Sequence, residues 1–403
     1  MPDQTRLDFR RMLLASVAFG ATAGIFNATL GNYLHEVHAF DAEARGWLEL
    51  PRELPGFLVL LTAGLLAARY REARAMSTAM LVTAAGAVGL ALFAPTVPLA
   101  VLWIFVWSSG DHMNFALEGP LGLKLAKHGG EGRRLGQFGG AKNLGGLLGA
   151  GAVFGIARLV GDDYRLFYFA AAALALVAAY HFFRIETGRR GGPPRRFVWR
   201  REYHLFYAIS ALFGIRKQIF YVFGTWVLVD IHRVPVATIA TLMFLGAGLG
   251  VILRPLLGDV IDWLGERVVL VADEVLLLLI CLVYAFADRL FAPGAVLWAL
   301  YVAYVLDQTL FALRVARTTY LKKIAVDPAD ITPTMSLGIT IDHAVAMSLP
   351  VFSGWLWAHV GFQWVFVLAA AIALVGLVVC LRIRVPAPVP AAGRSPQPAA
   401  PSA

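Results

Sequence analysis

Long apolar runs alternate with short polar segments along the chain, and the runs have the length of helices that cross a bilayer. Such a helix needs about 20 predominantly apolar residues. The runs fall at residues 12–34, 47–68, 76–94, 97–123, 135–157, 164–184, 203–229, 235–257, 268–287, 292–321, 333–358 and 361–382. Pro95 and Pro98 separate the third run from the fourth, because proline interrupts the helical hydrogen-bond ladder. The pattern predicts an all-α membrane protein with about twelve transmembrane helices.

The longest polar interruption, the arginine-rich linker 185–202, divides the chain into halves that resemble each other in order. Residues 34–38 and 228–232 each end an apolar run, at an offset of 194 (228 − 34) that Gly64 and Gly258 share. Residues 111–118 match residues 307–314 at an offset of 196 (307 − 111). We therefore expect two pseudo-symmetric six-helix bundles, 1–184 and 203–384, and a disordered tail rich in Pro, Ala and Ser at 385–403.

Composition supports a membrane protein and argues against other classes. Of the 403 residues, 59% are hydrophobic and 15% are charged, whereas a soluble domain has about 25% charged residues. The net charge of +9 lies in loops between apolar runs, so we expect no nucleic-acid partner. Cys281 and Cys380 lie far apart inside apolar runs, and we expect neither a disulfide nor a metal site. With no phosphate-binding loop and no hydrolase motif, we expect no enzyme and no cofactor.

Lysine and arginine cluster in alternate loops, and this bias indicates orientation. The basic loops lie near residues 69–74, 124–134, 184–201, 322–323 and 382–384, and the loops between them carry few basic residues. By the positive-inside rule, both termini and the linker are cytoplasmic, which requires an even number of spans. We expect a multi-pass protein, monomeric, of a bacterial cytoplasmic (inner) membrane.

A glycine-rich loop pattern carries a family resemblance. The stretch 258–270 resembles the signature G-x-L-x-D-R-x-G-R-[RK]-x-x-L of the major facilitator superfamily, and it matches at Gly258, Asp262, Gly265, Arg267 and Leu270. Trp263 and Glu266 depart from the signature, and the first-half copy has Ala68 in place of the aspartate. The resemblance implies two six-helix bundles around a central cavity that opens alternately to each side. The loop would then be a latch on the cytoplasmic side, or a surface turn that only stabilises topology.

Charged residues inside the apolar runs are the candidate functional residues, because a charge at the bilayer centre costs about 2.5–3.5 kcal/mol on insertion scales. Counting along the runs places Asp111, Asp307, Arg216 and Lys217 near the middle of the membrane. Glu118, Lys142, Asn143, Arg314, Asp342 and His343 fall in the cytoplasmic half, and Glu49, Arg52 and Glu53 in the outer half. Opposite charges nearly balance, so internal ion pairs that only fix helix packing remain an alternative.

Two roles follow from these positions. Arg216 and Lys217 are adjacent and therefore point about 100° apart on a helix. We expect one of them to line the cavity and bind an anionic group of the solute, and the other to pair with an aspartate. A carboxyl group in a low-dielectric cavity can titrate in the physiological range. We therefore expect Asp111 or Asp307 to carry the proton if transport is proton-driven.

A gate is predicted seven residues further along the same helices. Asp111 and Glu118 are seven residues apart, so they share a helix face about 10.5 Å apart along the axis. Asp307 and Arg314 have the same relation, and in the superfamily the fourth and tenth helices face each other. We expect Glu118 to pair with Arg314 when the cytoplasmic side closes; the alternative is a pair within one bundle, such as Glu118 with Lys142.

Together these features predict a secondary transporter of a small polar or amphipathic solute, working with a coupling ion such as a proton. Drug efflux is less favoured than metabolite or organic-anion transport, because the proline of the exporters' antiporter signature and the arginine of their fourth helix are absent. The alternative is a membrane sensor or scaffold that keeps the fold without transport.

Overall fold

The computed structural model describes residues 2–58, 71–126, 131–186, 198–327 and 330–384, and these residues form helices without any strand. The first half contains α1 (Pro2–His38), α2 (Ala42–Trp47, continued as helix at 49–58), α3 (Glu72–Leu92), α4 (Val97–Lys124), α5 (Glu131–Val160) and α6 (Tyr164–Phe183). Within the described residues, nine helices are long and apolar enough to cross a membrane. The all-α membrane architecture predicted from the apolar runs is confirmed.

The second half repeats this order with more irregular helices. Its α7 covers Arg201–Ile231 and contains a 3-10 turn (Arg201–Tyr203), an α-helix (His204–Ile219) and two π-helical turns (Phe220–Gly224 and Val227–Ile231). The helical stretch Val236–Leu290 forms α8 (236–264) and α9 (266–290). Next, α10 runs as Pro293–Leu310, a 3-10 turn (Phe311–Leu313) and Arg314–Ile324, followed by α11 (Ile331–His359) and α12 (Phe362–Leu381). These elements follow the order of the predicted spans; part of the predicted span 47–68 lies outside the described residues, so the count of twelve stays a prediction.

Proline and glycine divide the helices where the sequence predicts divisions. Pro98 lies in the first turn of α4 and Pro293 begins α10, positions where a missing N–H is tolerated. Gly265 has φ of 81°, a backbone conformation that glycine adopts readily and other residues do not. This residue therefore ends α8 and begins α9 without any intervening loop.

Small residues bring α1 and α5 into close contact. A Cβ added at Gly24 would lie 2.5 Å from the backbone oxygen of Gly146, and one at Gly145 would lie 2.9 Å from the backbone nitrogen of Ala21. Gly155, by contrast, has no atom within 4 Å of such a Cβ. The glycines in the middle of α5 thus serve helix packing, as small residues commonly do between membrane helices.

The two halves meet at the end of the molecule opposite the linker, which we call the far side. There Asn32 Nδ2 donates to the backbone oxygen of Val234 at 2.9 Å, and His35 Nε2 lies 3.3 Å from Asp230 Oδ1. Helices α2 and α11 also touch, since a Cβ added at Gly354 would lie 2.6 Å from the backbone oxygen of Ala42. These contacts join residues 32–42 of the first half to Asp230, Val234 and Gly354 of the second half.

Candidate functional site

A cavity of about 550 Å³ lies between the two halves. Helices α1, α2 and α4 line it from the first half, and α7, α10 and α11 from the second. Its charged and histidine lining residues are Arg52, Glu53, Asp111, His112, Lys217, Arg317, Asp342 and His343. Phe206 and Met335 extend the lining toward the linker side, because both lie near the linker ends of their helices. Six of the ten predicted substrate or ion residues therefore face one cavity: Arg52, Glu53, Asp111, Lys217, Asp342 and His343.

Arg52 is held by carboxylates of its own helix rather than left free for a solute. Its Nε lies 2.8 Å from Glu49 Oε2, and its Nη2 lies 2.5 Å from Glu53 Oε1. Glu49 also pairs with Arg45 and accepts a hydrogen bond from Gln218 of α7. Arg52 is only 5% exposed, so these carboxylates neutralise a buried charge and link α2 to the second half.

Glu53 joins two histidines from different halves. His343 Nδ1 lies 2.8 Å from Glu53 Oε2, and His112 Nε2 lies 3.6 Å from the same oxygen. The two imidazole rings are 5.2 Å apart. Counting along the sequence placed Glu53 and His343 in opposite halves of the membrane, but their contact shows that they lie at the same depth. Such counting assumes straight helices with known ends and similar tilt, and this contact shows that the assumption fails for at least one of the two helices.

Lys217 lines the cavity and pairs with an aspartate of α11. Its Nζ lies 2.8 Å from Asp342 Oδ1. A Cβ added at Gly214 would lie 2.7 Å from the same Oδ1, so glycine at this position makes room for the carboxylate. The pair places one positive and one negative group on the cavity wall contributed by the second half.

Arg216, one residue earlier, points away from the cavity into its own bundle. Both oxygens of Asp273 accept from Arg216 Nη1 at 2.7 Å, and Asp307 Oδ1 lies 3.6 Å from Arg216 Nη2. Glu274 follows Asp273 and packs against Gly376 of α12, where an added Cβ would lie 2.6 Å from its Oε2. Glu274 has no hydrogen-bond or ion-pair partner among the residues that the structure describes.

Asp273 and Glu274 were missed by the sequence reasoning, although two consecutive acids inside the apolar run 268–287 are visible in the sequence. Charge density inside a predicted span is the signal that could have found them. With Asp307 they form what we call the carboxyl cluster: three carboxyl groups, Asp273, Glu274 and Asp307, beside one guanidinium.

Asp111 has a different environment from its repeat counterpart Asp307. It lines the central cavity, and in the described part of the chain its carboxylate has no hydrogen-bond or ion-pair partner. Asp307 is 1% exposed, does not line the cavity and faces Arg216. The structure thus separates two residues that the repeat treats as equivalent.

The predicted gate residue Glu118 pairs within its own half. Its Oε2 lies 3.1 Å from Lys142 Nζ, which is the alternative that the sequence left open. Lys142 Nζ also lies 4.3 Å from the centroid of the Phe19 ring. Asn143 is half-buried and does not line the cavity. The side chain of Arg314 lies outside the described residues, so its contact with Glu118 stays a prediction.

Within the loop signature, Glu266, which departs from the family pattern, makes an ion pair with another helix. Glu266 is 1% exposed, and its Oε1 lies 2.7 Å from Lys323 Nζ at the linker end of α10. In the first half the equivalent Glu72, offset 194 (266 − 72), pairs with Lys124 at the end of α4. Arg267 is exposed. The surroundings of Gly258, the side chain of Asp262 and the first-half copy within 59–70 lie outside what the structure describes, so the latch stays a prediction.

Comparison with known proteins places this architecture in a family. The sequence profile of the Major Facilitator Superfamily matches residues 12–316. A search of curated proteins gives no match. Among solved structures, a mutant of the nucleoside transporter NupG has a TM-score of 0.76 and 15% identity, covering 93% of this chain and 99% of that chain.

Two further structures have similar folds. The D-xylose-proton symporter has a TM-score of 0.73 and 12% identity, covering 93% of this chain and 97% of that chain. A mutant of the peptide transporter POT in complex with sulfate has a TM-score of 0.73 and 15% identity, with coverage of 93% and 94%. With the profile match over most of its length, the chain belongs to the Major Facilitator Superfamily of transporters and is an integral, multi-pass membrane protein.

Proposed function

We propose that this protein is a secondary transporter that moves a small polar solute through the central cavity by alternating access. The observation that carries the proposal is the cavity itself: about 550 Å³ of space between two six-helix halves, with charged groups contributed by both. A charge costs several kcal/mol at membrane depth, and lining a water-accessible cavity with charges makes sense when polar cargo passes through it. The transporters of similar fold described above carry a nucleoside, D-xylose and a peptide, all small and polar.

The conformation fits a state that is open to the linker side. The halves are joined at the far side through Asn32, His35 and their partners, and the cavity reaches Phe206 and Met335 toward the linker. With the linker and both termini cytoplasmic, as the distribution of basic residues indicates, this is an inward-facing state of a monomer in a bacterial inner membrane.

The solute site is proposed to lie between Asp111 and Lys217. Asp111 offers a carboxylate with no described partner, and the Lys217–Asp342 pair can open to present an ammonium group to an anionic part of the solute. Phe115, Tyr221 and Phe311 line the same cavity and supply aromatic surface for its less polar part. We therefore favour a solute that carries both a donor or cationic group and an anionic or acceptor group.

Coupling is proposed to use a proton held by the carboxyl cluster. Asp273 and Asp307 contact the guanidinium of Arg216, Glu274 lies beside them, and Arg317 adds a second positive charge near Asp273, so three carboxyl groups still outnumber two guanidinium groups in a low-dielectric bundle. A proton on Asp307 would relieve this imbalance, and its release would tighten the contact with Arg216 on the helix that also carries Lys217. A D-xylose-proton symporter has the same fold, which supports proton coupling as the working choice.

Reconstitution tests the proposal. The purified chain would first be screened by thermal shift against nucleosides, sugars, di- and tripeptides and organic acids, and stabilising compounds would then be assayed for uptake into proteoliposomes with and without an inward proton gradient. We expect at least one compound to accumulate above its external concentration only when the gradient is imposed. A folded, monodisperse protein that moves none of the panel in either direction would overturn transport and favour a sensor or scaffold.

A further inference from the structure

Glu53, His112 and His343 form a compact group of metal-ligand atoms that the transport proposal does not use. One atom from each residue lies within 4.8 Å of the other two, although the residues come from α2, α4 and α11. We propose that this group, which we call the His–Glu site, binds a divalent transition-metal ion of the zinc type and thereby ties the two halves together. The ligands of the His–Glu site are 59 (112 − 53) and 231 (343 − 112) residues apart in sequence, so no short sequence motif predicts the site.

The distances suit a tetrahedral ion. Zinc bonds to nitrogen and carboxylate oxygen are about 2.0–2.2 Å long, which places tetrahedral ligand atoms roughly 3.3 Å from each other. Glu53 Oε2 lies 2.8 Å from His343 Nδ1 and 3.6 Å from His112 Nε2, on either side of that spacing. One ligand atom from each residue lies within 4.8 Å of the other two, so reaching the tetrahedral spacing requires these atoms to approach by at most about 1.5 Å. Two imidazoles and one carboxylate, with a fourth position left to water, form a donor set that zinc commonly takes.

The surroundings orient the ligands as outer partners do at known metal sites. His112 Nδ1 lies 2.9 Å from the backbone oxygen of Ser108, and donation to that oxygen leaves the lone pair of Nε2 facing Glu53. A lone pair and a carboxylate oxygen that face each other are both acceptors, so a cation between them is stabilising. Arg52 holds the other oxygen of Glu53, and Oε2 remains for a single bond to the ion.

Charge and access do not oppose a dication. Arg45 and Arg52 are matched by Glu49 and Glu53, and Asp111 adds a carboxylate with no described partner to the same cavity. All three ligands line that cavity, which supplies both the access route and the water for the open position. A proton on His112, which makes the ring an imidazolium, competes with the metal ion for the space beside Glu53. The experiment distinguishes the proton from the ion.

The consequence follows from which helices are joined. Glu53 and His112 belong to the first half and His343 to the second, so a bound ion adds a direct link across the cavity. The ion would hold the halves in the arrangement seen here and stop alternation; this last step rests on the proposed transport function, whereas the binding does not.

Binding is tested with zinc and cobalt chloride on the full chain, purified in detergent and stripped with EDTA. We expect one equivalent of Zn²⁺ by calorimetry, a rise in the melting temperature, and the visible absorption of tetrahedral Co²⁺. His112→Gln and His343→Gln should each weaken Zn²⁺ binding at least about tenfold, because each removes a ligand. His359→Gln is the matched control, since His359 is exposed and its Nδ1 lies 2.9 Å from the backbone oxygen of Trp355.

A second measurement needs no variant and so is unaffected by misfolding. Diethyl pyrocarbonate modifies free imidazole nitrogens, and Zn²⁺ should protect His112 and His343, but not His359, as read by peptide mass spectrometry. Absence of Zn²⁺ binding to the wild type, a Zn²⁺ affinity in both Gln variants equal to that of the wild type, or unchanged modification with Zn²⁺ would overturn the site. Once a solute is known, Zn²⁺ should inhibit its uptake in the wild type only. Binding without inhibition would overturn the cross-link between halves, and inactivity of every protein without Zn²⁺ would instead count against transport.

Discussion

Asp111 and Asp307 stand at the same position of the two repeats, yet one faces the cavity without a described partner and the other is buried beside Arg216. The residues that follow them are similar, so the difference comes from what the neighbouring helices supply. In the second half, Asp273 of α9 and Arg216 of α7 surround the aspartate with charge. The comparison shows that equivalent positions in the two repeats can have different environments, because the neighbouring helices supply different side chains.

The largest effect is expected from removing the guanidinium of the carboxyl cluster. Arg216→Gln leaves Asp273 without its two 2.7 Å contacts, and breaking a buried ion pair costs about 3–5 kcal/mol. We expect the variant to unfold at markedly lower denaturant concentration and to lose transport. Unfolding monitored by tryptophan fluorescence in detergent measures this loss.

A double variant supplies the control. Adding Asp273→Asn to Arg216→Gln removes one of the carboxylates left without a cation, so we expect part of the stability to return. Lys217→Gln, on the adjacent residue, should cost much less, since Lys217 is partly exposed to the cavity. Equal destabilisation by Arg216→Gln and Lys217→Gln would show that the cluster is no more buried than the cavity wall.

Proton coupling and solute binding are expected to be divided between Asp307 and Asp111. We expect Asp307→Asn to abolish uphill uptake but to retain solute exchange, because an amide cannot release the proton yet leaves the cavity intact. Asp111→Asn should instead weaken solute binding at least about tenfold, as loss of a charge-assisted hydrogen bond of about 1.5–3 kcal/mol would. Gradient-driven uptake and counterflow in proteoliposomes measure the two properties separately, and the reverse assignment would contradict the proposed division.

The sequence predicted the fold well because membrane-spanning helices can be recognised from local composition. Apolar length gave the helices, Pro95 and Pro98 gave one boundary, and Gly265 lies at the break between α8 and α9. The repeat also located Asp111 and Asp307. The sequence did not predict the partner of each charge, because the partners are distant along the chain. Arg216 pairs with Asp273, 57 residues away, and Glu53 contacts His343, 290 residues away. Those pairings depend on helix tilt and rotation, which packing sets and local composition does not.

A smaller effect is expected at the cavity wall opposite Asp111. Lys217 and Asp342 are 24% and 14% exposed, so each keeps some hydration when its partner is removed. We expect Lys217→Gln to fold normally and to bind a solute with an anionic group about tenfold more weakly, whereas Asp342→Asn should bind it as well or better, because the ammonium group is released. Affinity measured by calorimetry decides this. If both variants bind like the wild type, Lys217 has no part in recognition.

The smallest effect is expected at the gate predicted between Glu118 and Arg314, which lie seven residues beyond Asp111 and Asp307. In this structure Glu118 pairs with Lys142, and the two side chains are 19% and 25% exposed, so the pair is worth about 1 kcal/mol or less. A gate that forms on the linker side only after closure must exchange this partner for Arg314. Glu118→Arg should therefore favour the state open to the linker and slow transport several-fold. Adding Arg314→Glu should restore part of the rate, because the swapped charges attract again. Lys142→Gln is the matched control: it removes the partner seen here, and we expect it to leave the rate unchanged or raise it slightly. A double reversal no faster than the slower single variant, together with a Lys142→Gln rate as low as that of Glu118→Arg, would assign Glu118 to packing within the first half.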